Sequence, residues 1–214
     1  MELSEAIRER RSVRAFLPDD VPAEVVEAIL EEARWAPSWA NAQDWDVFAL
    51  TGPRLERFKS VLAEKLASDA ESVTDIRFPG RGEWPEHIRE RMTYRRPTPG
   101  AEAAPPQRPG LATLYGAPWA LLFAIHEDLA PEYACFDTGL LVQNVCLEAH
   151  DRGLGTCIMA MAVRFADSLH DVVPEAAGRR FVVAVTLGHP DPDSPVNAAE
   201  RERVPLSEVA TFLS

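Results

Sequence analysis

Apolar positions along the chain fall into two rhythms, and each predicts its own kind of element. Residues 3–10 bring Leu3, Ala6 and Ile7 to one side at helical spacing. Residues 11–16 read as extended, and Pro18 with Asp19 and Asp20 makes a turn. Pro22 then opens a helix, because its fixed φ and missing N–H suit a first turn. Val25, Val26, Ile29, Leu30 and Ala33 form the apolar stripe of that helix, and Pro37 ends it. Residues 45–51 predict a strand. Residues 55–66 predict a helix, with Leu55, Phe58, Leu62 and Leu66 at its spacing.

The character changes over about 69–112, where prolines and glycines cluster (Pro79–Gly80, Pro99–Gly100, Pro105–Pro106, Pro109–Gly110). A helix over 83–95 fits inside this stretch. It holds too few apolar residues for a core of its own, so it reads as a variable loop or lid within one domain spanning 1–214. Residues 119–126 are apolar almost without interruption, as a buried central strand requires. Residues 133–149 predict a helix that is apolar nearly all round at 139–147, and such a helix must be covered on most sides. In a chain this size a partner subunit is a natural cover. Gly153-Leu154-Gly155 ends the helix and leads to a strand or extended stretch at 156–161. A short helix at 168–173, a strand at 180–188, an extended polar stretch at 196–204 and a terminal helix at 206–213 complete the pattern. Dispersed strands among helices predict an α+β fold.

Composition narrows the function. The chain has 214 residues, 46% hydrophobic and 26% charged, which suits one substantial globular core. A formal net charge of −12 argues against nucleic acid as a partner, while local arginines can still hold an anionic cofactor. Cys135, Cys146 and Cys157 are an odd set among apolar neighbours and form no disulfide framework; they read as small buried thiols in a reducing compartment. The acidic start lacks the basic and apolar regions of a signal peptide, and no run approaches the roughly 20 residues of a membrane span, so the expected location is the cytoplasm.

Four short constellations could carry chemistry. In an extended segment Arg10, Ser12 and Arg14 share a face, and guanidinium groups beside a hydroxyl suit a phosphate; the plainer reading is a solvated basic patch. Pro37, Ser38, Trp39, Asn41 and Gln43 form a loop whose hydroxyl and amides could hydrogen-bond a heterocycle, or could merely build a capped turn. Gly153-Leu154-Gly155-Thr156 could let backbone approach a flat ligand, or could be a helix cap followed by a strand. Arg201 and Arg203 again alternate, as does many a solvated charged tail. There is no P-loop, no metal-binding spacing of His or Cys, and no Gly-x-Ser-x-Gly elbow.

The order of these pieces resembles the nitroreductase family of FMN enzymes over nearly the whole chain except about 69–112. Arg10-Arg11-Ser12-Val13-Arg14, the loop from Pro37 to Gln43 and the strand beginning at Trp45 resemble that family's opening. Tyr115-Gly116-Ala117-Pro118, Asp137-Thr138-Gly139, Gly188-His189-Pro190 and Arg201-x-Arg203 are similar to its later features. Asp44 departs from it, standing where the family often has proline, and an added carboxylate there could alter substrate charge preference.

The resemblance implies a three-layer sandwich with a central, mainly antiparallel sheet, assembled as an intertwined homodimer with two FMN sites at the interface. It places Arg10, Arg11, Ser12 and Arg14 at the FMN phosphate and ring, with Arg201 and Arg203 near the phosphate. Pro37, Ser38, Trp39, Asn41 and Gln43 would serve the partner's FMN, and Ile158, Met159, Ala160 and Met161 would lie along the flavin. It further implies NADH or NADPH as reductant and a ping-pong transfer through flavin N5 to a nitroaromatic, quinone or similar small acceptor. No side chain is named as an obligate catalytic acid or base. Flavin fragmentation, dehalogenation or dehydrogenation on the same fold, and a flavin-binding dimer without turnover, are the alternatives.

Overall fold

A computed structural model of the chain describes residues 1–92, 110–199 and 201–213. Six α-helices and four strands are found among them. The helices are α1 (Leu3–Glu9), α2 (Ala23–Ala33), α3 (Gly52–Ala67), α4 (Glu86–Arg91), α5 (Pro131–Asp151) and α6 (Ala166–Val172). The strands are β1 (Trp45–Leu50), β2 (Trp119–His126), β3 (Gly155–Met159) and β4 (Arg179–Gly188), in the order β1-β2-β4-β3, and every pairing is antiparallel.

Alternation along β2 explains why the sheet is the middle of three layers. Ala120, Leu122 and Ala124 face a cluster that includes Leu55, Phe58 and Leu62 of α3 and Leu169 and Val172 of α6. Leu121 and Phe123 face the other way, toward Ile29 and Ala33 of α2 and Leu141, Val145 and Cys146 of α5. The strand is apolar throughout because both faces are covered; each of its Leu, Phe and Ile side chains contributes about 1.5–3 kcal/mol when fully removed from water. A register shift opposite Phe123 and Ala124 lets Phe181 and Val183 of β4 serve opposite layers, although they are two residues apart.

Several boundaries differ from the sequence expectation. Helix α2 stops at Ala33, short of Pro37, and α4 covers only the middle of the helix expected over 83–95; residues 93–109 lie outside the described ones. Strand β3 ends at Met159, and Ala160–Val163 turns as a 3-10 helix. The terminal helix expected at 206–213 is only a 3-10 turn, Leu206–Glu208. So short a stretch cannot offset the cost of helix nucleation without a surface to pack on, and Phe212 and Leu213 stand 85% and 91% exposed.

Candidate functional site

The site begins where α1 ends. Arg10 caps that helix in a non-helical conformation, and the next residues run alongside β3. Val13 N–H donates to the Thr156 carbonyl at 2.8 Å, and Ser12 bridges Thr156 in parallel. Val13 is buried, so the alternation of an extended chain turns Ser12 and Arg14 to the other side. Arg14 Nη1 reaches back to the Ser12 carbonyl at 3.4 Å, while its Nε is buried without a hydrogen-bond partner among the described residues. Arg11 Nη1 instead donates to the Asn197 carbonyl at 2.6 Å.

The C-terminal stretch comes back to meet this segment. Arg201 donates to the carbonyls of Arg8, Glu9 and Arg10, at the C-terminal end of α1, where carbonyls lack intrahelical partners. Burial and the charges of Arg11, Arg10 and Arg203 push the Arg201 guanidinium below its ordinary range. Arg203 is more exposed and donates to the Glu202 carbonyl at 2.8 Å. A cleft of about 570 Å³ opens between the two stretches, lined by Arg8, Arg10, Arg11, Arg201 and His150, with Glu9 and Asp191 as its acids. The buried Nε2 of His150 has no hydrogen-bond partner among the described residues. A concentration of guanidinium groups in a chain of net charge −12 suits an anion.

The loop at 37–43 is held elsewhere, on the first half of α5. Trp39 N–H donates to Asp137 Oδ2 at 2.8 Å, and the Trp39 ring meets Tyr133 edge-on at 4.6 Å. Ser38 Oγ accepts the Gln43 N–H at 2.9 Å, and Gln43 Nε2 donates to the Asn41 carbonyl at 3.2 Å. Ala40, Asn41 and Gln43 all take positive φ, a conformation L-residues adopt at a cost and one that recurs at functional loops. Pro37 leads into this loop. Trp39, Tyr133 and Phe136 are 61%, 60% and 64% exposed, so one side of α5 remains uncovered in the single chain.

The structure therefore divides the predicted residues. Arg10, Arg11 and Arg201 line that cleft; Ser12 and Arg14 lie on the same segment but face away from it, and Arg203, Pro37, Ser38, Trp39, Asn41 and Gln43 do not line it either. Ile158 and Met161 are partly exposed and Ala160 is open, but the Met159 side chain is turned into the core. The Gly153-Leu154-Gly155 stretch is a helix cap followed by a strand. Gly153 at φ +75° and Leu154 donate to the carbonyls of His150 and Ala149, as in a Schellman motif. The close approach at Gly155 is to Val13 and Pro190. Asp137 and Asn197, which fasten these two segments, stand outside the candidate residues read from the sequence. A lone carboxylate just ahead of the apolar stretch of α5 is a signal for Asp137; Asn197 offers none. The described residues include no group of His, Cys, Asp and Glu that could hold a metal.

A sandwiched antiparallel sheet, with an arginine-lined cleft formed by the two ends of the chain beside its edge strand, defines an α+β protein. The chain belongs to the nitroreductase family: the model described as "Nitroreductase family" matches residues 7–189. It is 28% identical over 210 residues to a 4-nitrobenzoate reductase of Pseudomonas putida, covering 92% of this chain and 89% of that protein. It is 30% identical over 217 residues to nitroreductase NfnB of Mycolicibacterium smegmatis, covering 96% and 90%. The crystal structure of the FMN-dependent nitroreductase NfnB from Mycobacterium smegmatis in complex with NADPH superposes with a TM-score of 0.89 at 25% identity, over 99% of this chain and 97% of that one.

Proposed function

We propose that the protein is an FMN-dependent oxidoreductase that uses NADH or NADPH to reduce a nitroaromatic, quinone or similar conjugated acceptor, and that it works as a homodimer in the cytoplasm. The observation that carries this reading is the gathering of Arg10, Arg11 and Arg201 in one cleft beside β3, with Ser12 and Arg14 on the other face of the same segment, in a chain that belongs to a family with FMN-dependent members. The residues present fit an FMN phosphate. The mutual repulsion around Arg201 is relieved by a dianion, and the buried Nε of Arg14 lacks an acceptor that a phosphate or ring oxygen supplies.

In this reading Arg10, Ser12 and Arg14 hold the phosphate and ring edge, with Arg11 braced behind them and Arg201 and Arg203 at the phosphate end. Backbone from Ile158 to Met161 lies along the ring. Pro37, Ser38, Trp39, Asn41 and Gln43 serve the flavin of the other subunit, which accounts for an exposed Trp39 on an uncovered side of α5. Bound FMN would supply the redox chemistry, a ping-pong hydride transfer from the nicotinamide to the second substrate. The protein orients both partners and places positive charge where the reduced flavin gains negative charge. No side chain is required as an obligate acid or base.

The purified protein should be yellow, NADPH or NADH should bleach it without oxygen, and 4-nitrobenzoate should restore the colour. Colourless protein that ignores added FMN would overturn the proposal.

A further inference from the structure

The geometry points to Asn197 as the positioning residue that holds the Arg10–Arg14 segment in the shape that binds the cofactor phosphate; this rests on the flavin reading above. Asn197 lies in a turn after β4, far along the chain from the residues it touches. Its Oδ1 accepts the Arg14 N–H at 2.8 Å, and its Nδ2 donates to the Ala15 carbonyl at 2.8 Å and the Asp191 carbonyl at 3.0 Å. Its own carbonyl accepts Arg11 Nη1 at 2.6 Å.

A primary amide presents an acceptor beside a donor, so Asn197 acts toward Arg14 and Ala15 as a strand edge acts toward a neighbouring strand. On the opposite side the same segment is tied to β3 through Val13 N–H and the Thr156 carbonyl. Held on both sides, with Val13 packed inward, the segment can present Ser12 and Arg14 only on the remaining face. Arg201 adds a second tie by satisfying the last carbonyls of α1, which fixes where Arg10 leaves that helix. The stretch from Asp191 to Arg201 is thus a brace, and its work falls on the part of the ligand that Ser12 and the arginines grip.

That location sets the signature. Without the Asn197 side chain, the Arg14 N–H exchanges a fixed partner for water, and the Ala15 carbonyl is left with only the Asp191 N–H, at 3.0 Å. The phosphate-binding face then loses its preorganisation, while contacts to the ring are less disturbed. One hydrogen bond's worth of binding free energy corresponds to about a tenfold loss of FMN affinity. Riboflavin, which lacks the phosphate, should lose less, so the preference for FMN over riboflavin shrinks.

The test titrates the full-length protein and its Asn197→Ala and Asn197→Asp variants with FMN and with riboflavin. Amide hydrogen exchange over residues 10–16 is measured in the same proteins without flavin. Asn197→Asp keeps the shape and the acceptor but sets a carboxylate oxygen against two carbonyls, so it reports on the brace even if the alanine variant folds poorly. Faster exchange at 10–16 and a reduced FMN preference in the variants support the proposal. Unchanged exchange, or equal losses of FMN and riboflavin affinity, overturn it. If the unaltered protein binds neither flavin, the flavin reading fails, and exchange at 10–16 alone decides whether Asn197 braces the segment.

Discussion

Replacing Gly155 by alanine tests the contact on which the Arg10–Arg14 segment rests. A Cβ at Gly155 would lie 2.6 Å from Val13 Cγ2 and 3.0 Å from Pro190 Cγ, closer than carbon atoms can approach. Val13 cannot easily yield. It is only 4% exposed, its backbone is tied to Thr156, and a β-branched side chain has few rotamers to escape into. Overpacking of this kind costs about 1–3 kcal/mol, and at about 2–4 °C per kcal/mol for a chain of this size Tm should fall by about 2–12 °C. Thermal unfolding of Gly155→Ala, Val13→Ala and the double variant measures it. If the clash is with Val13, Gly155→Ala costs at least about 1 kcal/mol less once Val13 is trimmed, since contacting residues couple. Gly153→Ala is the control: nothing lies within 4 Å of its Cβ, and its cost of about 1 kcal/mol comes from φ +75° and is independent of Val13. Equal costs of Gly155→Ala in both backgrounds would refute the packing argument.

Other outcomes follow from the same geometry. Asp137→Ala strands the Trp39 N–H and should cost about 1–3 kcal/mol in denaturant unfolding, with weaker flavin retention. Asp75 Oδ2 accepts from Phe181 N–H at 2.8 Å and lies 3.1 Å from His170 Nε2, so Asp75→Ala should destabilise the chain by about 1–3 kcal/mol, read by the same unfolding assay. Burial pushes the Cys146 thiol up, so a thiol reagent should label it only on unfolding. Because its folded pKa is raised, its stabilising contribution is intact below the unfolded value of about 8.5 and lost as pH rises from there through the folded value, which unfolding of Cys146→Ala beside the parent across that range would show.

The layers of the fold were legible because burial writes directly into sequence. The unbroken apolar run of β2, the stripe of α2 and the all-round apolar middle of α5 each signalled how many faces were covered. Element ends were less legible. Val209, Phe212 and Leu213 carry an apolar pattern but stay exposed among the described residues, and pattern alone could not show that. Of the site, the arginines near each terminus were visible as alternating pairs, yet their meeting depends on a turn that returns Asn197 to Arg14. That contact is a match of amide geometry to backbone, and an asparagine in a polar stretch carries no mark of it. Similarly, Ser38 and Asn41 suggested a capped turn or a ligand loop, and only the bond from Trp39 to Asp137 shows how that loop is fastened.

Sedimentation velocity, followed at once by protein absorbance and by flavin absorbance, bears most directly on the claim that two copies of this chain enclose FMN. The account predicts that the flavin signal travels with a dimer at one FMN per protomer and fades when NADPH is added without oxygen. Flavin travelling with a monomer, or a dimer that carries none when FMN is supplied, would contradict it.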